Sequence, residues 1–239
     1  LAGACCGLTT YTYLAARAFP IPLAAALAAL GIADRDHRRV RLRQVALFVG
    51  VAALVLAPLV HYWLTHPGSF MTRTQQVAAA SWAEAWEGIR ACLAMFFLRG
   101  DPYIRFNLPH RPLFDPITAV LFLIGIVATV AKSRIQNPES KILTASRFFL
   151  LTYLPLMLLP SALATGEITP SNLRTAGLLP FIYIFPALGL EAVTSKIAAR
   201  QTSFVIRHSS LVILVLILLT PLTATAYFRD WAPSAALYG

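Results

Sequence analysis

Two short stretches gather most of the residues able to do chemistry. GDPYIRFNLPHRPLFDP, residues 100–116, holds two arginines, two aspartates, an asparagine and four prolines in a chain otherwise made of long apolar runs. TPSNLRTAGLLP, residues 169–180, sets Arg174 three positions after Ser171 at the start of a second apolar run. Arginine's planar fork makes two parallel charged hydrogen bonds, which suits it to a phosphate or a carboxylate. If Ser171 or Asn172 caps a helix, Arg174 falls in its first turn, where the helix dipole opposes a cation. Such a residue at the edge of hydrocarbon needs an anionic partner: Asp101, Glu167 or the phosphate of a lipid. Arg105, Asn107 and Arg111 offer weaker versions of the same chemistry, and both arginines also suit plain snorkelling to headgroups. Asp115-Pro116 has the form of a helix start, with Asp as cap and Pro in the first turn.

The elements that must position these residues follow from composition. The chain of 239 residues is 58% hydrophobic and 13% charged, with a mean hydropathy of +0.68. That apolar surface must meet lipid. The expected fold is all-α: a polytopic transmembrane helix bundle, a single transmembrane domain over residues 1–239, with one interfacial amphipathic helix. Five spans are clear from length and hydropathy, at 45–64, 113–131, 148–164, 175–190 and 211–227. Ahead of them, residues 1–33 are apolar but carry Arg17, Pro20 and Pro22, which predicts a hairpin of two short or tilted helices at 1–17 and 20–33. Prolines 58, 155, 160, 180 and 186 inside the spans discriminate nothing, since bundles of every kind accommodate them.

Residues 81–98 are predicted to form the interfacial helix. Ser81 with Glu84 three positions later is a capping-box pattern. Trp82, Trp86, Ile89, Leu93 and Phe96 recur at helical spacing, and Glu84, Glu87 and Arg90 fall largely elsewhere. This suits a helix lying at headgroup depth, and equally one that packs on the bundle. Gly100 would end it.

The net charge of +10 sits in loops between apolar runs and forms no continuous stripe with aromatic partners, so no nucleic acid is expected as a partner. Residues 35–43 hold five arginines, 132–147 four basic residues and 196–207 three. These loops alternate with the others and should all be cytoplasmic. The opposite face then carries 65–112, 165–174 and the tail from Phe228, so both polar stretches lie outside. Cys5, Cys6 and Cys92 form no disulfide framework or metal spacing. No phosphate loop, nucleophile elbow or His-carboxylate metal pattern is present.

Four stretches together resemble the membrane domain of the GT-C superfamily of membrane glycosyltransferases, which includes the protein O-mannosyltransferases and the bacterial aminoarabinose transferases. They are GLTTYTYLAARAFPIPL (7–23) before a basic loop, HPGSFMTRTQQV (66–77), RGDPYIRFNLPHRPLFDP (99–116) and NLRTAGLLPFIYIFPALGL (172–190). The last is similar to the Arg-then-Pro pattern that opens a late helix in those enzymes. The resemblance implies an integral protein of the bacterial cytoplasmic membrane that moves a sugar from a polyprenyl-phosphate donor to an acceptor on the external face. It implies donor-phosphate contacts at Arg174, with Arg105, Arg111 and Asn107 behind it, and a lipid groove lined by Tyr11 and Tyr13. The family's catalytic aspartate lies in a first external loop, and no acidic residue precedes Asp34 here. The chain is therefore expected to be a fragment whose catalytic residue is unknown. No cofactor is evident, and a divalent metal, although open, has no supporting residues. The rival readings are a transporter or flippase for a lipid-linked substrate and a non-catalytic membrane scaffold. Against transport, the spans carry no charge near mid-bilayer and no internal repeat.

Overall fold

The computed structural model describes residues 1–34, 37–133, 141–179, 181–200 and 208–238. Parts of all three basic loops (35–36, 134–140 and 201–207) and the proline at 180 lie outside the described residues. The chain is all-α, 75% helical with no strands among those described.

Helix α1 (Ala2–Thr9) ends where three threonine hydroxyls turn back on the chain: Thr9 to the Cys6 carbonyl (2.7 Å), Thr10 to Gly7 (2.8 Å) and Thr12 to Thr9 (2.6 Å). Such back-bonding competes with helix continuation. Residues 1–17 are therefore not one helix, and the break falls at Thr10–Tyr13, ahead of Arg17. A 3₁₀ turn (Leu14–Ala18) leads directly into α2 (Pro20–Ala33). Pro20 and Pro22 do not break it because they occupy the first turn, where backbone N–H groups lack intrahelical partners anyway.

Helix α3 (Arg38–Thr65) is longer than the expected span, because its basic first turns are helical too. After α4 (Thr72–Val77) and α5 (Trp82–Ala94) come α6 (Pro116–Ser133) and α7 (Lys141–Ala162). The expected span at 175–190 is broken. A single turn, α8 (Asn172–Thr175), and a 3₁₀ turn end at Leu179, which is extended as befits a residue before proline. Helix α9 (Ile184–Arg200) leaves at a bend of 62°. Helix α10 (His208–Thr225) runs into a wide π turn at Ala226–Trp231.

Among the described residues, four helical runs are long and apolar enough to cross a membrane: Ala15–Ile32, Arg38–Thr65, Ile142–Ala162 and Val212–Trp231. The bent pair makes a fifth if counted as one, and α6 is apolar over the slightly shorter Pro116–Lys132.

The core lies where α5, α6, α7 and α9 meet. Phe122 stands at its centre, with ring centroids 5.7 Å from Phe96, 5.0 Å from Phe114 and 5.5 Å from Phe185. Helices α6 and α9 pack along their lengths through glycines. A Cβ at Gly125 would lie 1.8 Å from the Phe185 carbonyl oxygen, and one at Gly189 2.0 Å from that of Leu121. Small residues permit this backbone approach, and with it the dispersion contacts of two helices in van der Waals range.

The polar connections collect at one end. Arg17 Nη1 donates to the Phe70 carbonyl (3.1 Å), Gly166 N–H to Val77 (3.0 Å) and Trp231 Nε1 to Ile104 (2.6 Å). The stretches from 65 to 112 and from 165 to 174, with the tail, are thus joined. The basic connections have contacts of their own at the other helix ends, where Lys132 pairs with Glu191 (3.6 Å) and Arg41 with Asp34 (3.1 Å).

Candidate functional site

The loop after α5 is folded back on itself by two backbone bonds at His110, Gly100 N–H to His110 O (3.1 Å) and His110 N–H to Asp101 O (2.9 Å). A Cβ at Gly100 would lie 2.0 Å from the Arg111 carbonyl oxygen, so this closure requires glycine. It buries Asp101 to 1% exposure. The Asp101 carboxylate accepts from Tyr103 N–H (2.7 Å) through Oδ1 and from Asn172 N–H (2.7 Å) through Oδ2. Asp101 therefore stitches the 100–112 loop to the start of α8. Charge-assisted bonds to two backbone donors make a fixed staple.

Ser171 caps α8, its Oγ accepting from Arg174 N–H at 3.4 Å, and its own N–H donates to the buried Ser161 Oγ (3.1 Å). Burial pushes the neighbouring Cys92 thiol up, against a hydrogen bond with Ser161 and the charge of Arg174. That favours the neutral thiol, a packing group.

Arg174 is itself buried. Its Nη1 donates to the carbonyls of Ala164 (3.2 Å) and Ile168 (3.0 Å), and its Nη2 pairs with one oxygen of Glu167. The second oxygen of Glu167 pairs with the exposed Arg73. Of the two carboxylates the sequence offered, the structure chooses Glu167 as the partner and commits Asp101 to backbone. The reason is local: the turn at 164–168 wraps the guanidinium and brings its carbonyls and Glu167 to one place.

Beside this network lies a cavity of about 410 Å³, lined by Tyr13, Tyr103, Arg105, Glu167, Ser171 and Arg174 among others. Three of the six expected contact residues, Tyr13, Arg105 and Arg174, meet here. Arg105 sits over the Tyr103 ring at 5.6 Å and makes no hydrogen bond or ion pair among the described residues. The other three do not line the cavity. Tyr11 donates its hydroxyl to the Val55 carbonyl (2.8 Å), tying the α1 turn to α3. Asn107 Oδ1 accepts from Leu108 N–H (2.8 Å), and Arg111 is half-buried outside the cavity wall.

Arg73 and Tyr103 went unremarked in the sequence. Both stand in polar connections placed on the site's face, which was the available signal. Among the described residues, no three His, Cys, Asp or Glu side chains converge as a metal ion would require. Chemically the cavity offers Arg105, which has no ion pair among the described residues, Arg174 paired with Glu167, the backbone-bound carboxylate of Asp101, and two phenols.

Comparison with protein-family models, with curated proteins and with solved structures finds no match to this chain.

Proposed function

We propose that the chain is part of an integral membrane glycosyltransferase that takes a sugar from a polyprenyl-phosphate donor and passes it to an acceptor at the face holding Arg105 and Arg174. The observation that carries this reading is the cavity itself, which brings Tyr13, Arg105 and Arg174 together from three separate connections. In this reading the helices form a polytopic bundle in the bacterial cytoplasmic membrane, with the basic loops in the cytoplasm and α5 along the external interface.

As the glycosidic bond breaks, charge grows on the phosphate that leaves, and fixed cations stabilise it. Arg105 takes first rank as the phosphate ligand, because it lines the cavity with no ion pair of its own among the described residues, whereas Asp101 and Glu167 are engaged elsewhere. Arg174 contributes its positive field from the wall, and engages the phosphate directly only when Glu167 gives way. Tyr13 and Tyr103 flank the path of the lipid. Asp101 and Glu167 are both occupied, the one by two backbone donors and the other by two guanidiniums, so neither is assigned as the base that activates the acceptor.

The test is sugar transfer by the full-length protein in membranes, supplied with polyprenyl-phosphate sugars. Arg105→Ala should raise the donor KM at least about tenfold, the scale of a lost charge-assisted bond. Arg174→Ala should lower transfer per folded molecule by less than Arg105→Ala does, and should also lower thermal stability, because it leaves the Ala164 and Ile168 carbonyls and Glu167 without their partner. If the wild type transfers no sugar but speeds transbilayer movement of a lipid-linked sugar in liposomes, the transporter reading replaces this one.

A further inference from the structure

A second cavity, of about 930 Å³, opens between α2 and α3 toward their basic connection, away from the site. It exists because the two helices choose different partners: α2 packs on α7 and α3 on α1, so they diverge with little between them. Its wall on α3 is a single helical face, with Arg38 and Arg41 at the polar end followed by Val45, Phe48 and Val49. Facing them on α2 are Leu27 and Leu30, with Ala24, Ala28 and Gly31 between. The interior is thus apolar and the mouth cationic.

The two arginines differ in a useful way. Arg41 is held in place, its Nε donating to Asp34 (3.1 Å) and its Nη1 to Gln44 (3.2 Å). Arg38 has no hydrogen bond or ion pair among the described residues. Asp34 offsets one positive charge, which leaves the mouth net positive, and Arg39 and Arg43 on the same turns of α3 add to that field. An unfilled apolar cleft with a cationic mouth at the end of a hydrocarbon-facing helix pair complements an amphiphile with an anionic head. A soluble anion would leave the apolar wall unfilled, and an apolar peptide segment would leave Arg38 unpaired.

We propose that this cleft seats an anionic phospholipid of the leaflet on the basic side, with its phosphate on Arg38 and Arg41 and an acyl chain against Leu27, Leu30 and Phe48. The proposal rests on α2 and α3 standing in a bilayer and on nothing in the transfer reaction.

The full-length protein is reconstituted in nanodiscs of equimolar phosphatidylglycerol and phosphatidylcholine, released into mild detergent and weighed by native mass spectrometry. The wild type should retain phosphatidylglycerol over phosphatidylcholine by about fivefold or more, the scale of one arginine at an anionic surface. Arg38→Gln should bring that ratio close to one. Gly31→Leu should remove the retained lipid without lowering thermal stability, because a Cβ at Gly31 meets no atom within 4 Å. Equal retention of the two lipids by the wild type overturns the proposal. So does unchanged retention in Gly31→Leu, or a dimer that Gly31→Leu dissociates, which would make the cleft an interface between copies. Sugar transfer is not read, so its absence leaves the outcome intact.

Discussion

Helices α6 and α9 approach until neither has room for a Cβ at Gly125 or Gly189, whereas α3 buries one residue, Ala52, in its 28. All three helices carry long apolar stretches. The difference lies in what each apolar surface touches. On the α6–α9 side, protein meets protein, and close approach is set by the smallest residues. On α3, Leu47, Leu54 and Leu64 are 70% exposed or more, and on α10 Ile217 is 62% exposed, the kind of apolar surface that a helix long enough to cross a membrane presents outward. The polar site sits where the packed side ends, on turns held by backbone bonds such as Gly100 N–H to His110 O and Gly166 N–H to Val77 O.

This contrast can be broken most sharply at the glycines. Gly125→Leu should prevent assembly, because a side chain there runs into the Phe185 backbone and not into a movable side chain. Size-exclusion chromatography in detergent should show aggregate in place of a single peak, and a normal peak would refute the close crossing. Phe122→Ala, at a position 2% exposed among four aromatic neighbours, should cost about 3 kcal/mol or more by thermal or denaturant unfolding. Glu167→Gln should cost less, about 1–2 kcal/mol, since it leaves Arg174 buried with carbonyl partners alone while solvent screens the Arg73 side. Under the proposed function it should also tighten donor-phosphate binding, and weaker binding would show that Glu167 supports the ligand instead of competing with it. Leu54→Ala, on the exposed apolar side of α3, should stay within about 0.5 kcal/mol of the wild type. A large loss there would mean that another protein surface covers α3.

The smallest effect concerns pH at the basic end. A hydrogen bond from His37, then one from Arg41, holds the Asp34 carboxyl below its usual range, although burial opposes them. A lowered folded value means the stabilisation is fully present above the unfolded carboxyl pKa of about 3.9 and is lost as pH falls through the folded value. Asp34→Asn should lose that contribution at neutral pH and match the wild type only at the acid end, so that the acid limb of the stability curve flattens. An identical acid limb in the variant would assign it to other carboxylates.

Local signals in the sequence carried over where one short segment contains both partners. The Ser81–Glu84 pattern predicts a cap, and Ser81 Oγ accepts from Glu84 N–H at 3.2 Å, although the Glu84 carboxylate reaches back to Ala80 N–H (2.9 Å) and not to Ser81. Asp115 caps α6 through Ile117 and Thr118 N–H at 2.9 and 3.0 Å. The stripe on residues 81–98 is different. Trp82, Trp86 and Leu93 are exposed, while Ile89 is half-buried and Phe96, just past the helix end, is buried in the core, on the side where Ala85, Gly88 and Cys92 are also buried. The predicted stripe is thus split, because α5 fits small residues against α7 and only the stripe's last aromatic reaches the core. Periodicity shows that a helix has two faces and is silent on which one a neighbour will take.

The amino-acid sequence by itself determined that the chain is helical, that several segments are long and apolar enough to cross a membrane, where several helices begin, and which connections are basic and which hold the mixed polar stretches. These follow from the chemistry of residues within a turn or two of each other, or from sums over a segment. Only the tertiary structure decided that Arg174 pairs with Glu167 while Asp101 goes to backbone, that Arg105 and Tyr13 share its cavity while Arg111, Asn107 and Tyr11 do not, and that α2 and α3 part to leave a cleft. Those outcomes depend on how distant turns meet and which partner each helix takes. Charge and hydropathy are blind to that choice, because several carboxylates and several apolar faces would have served equally well.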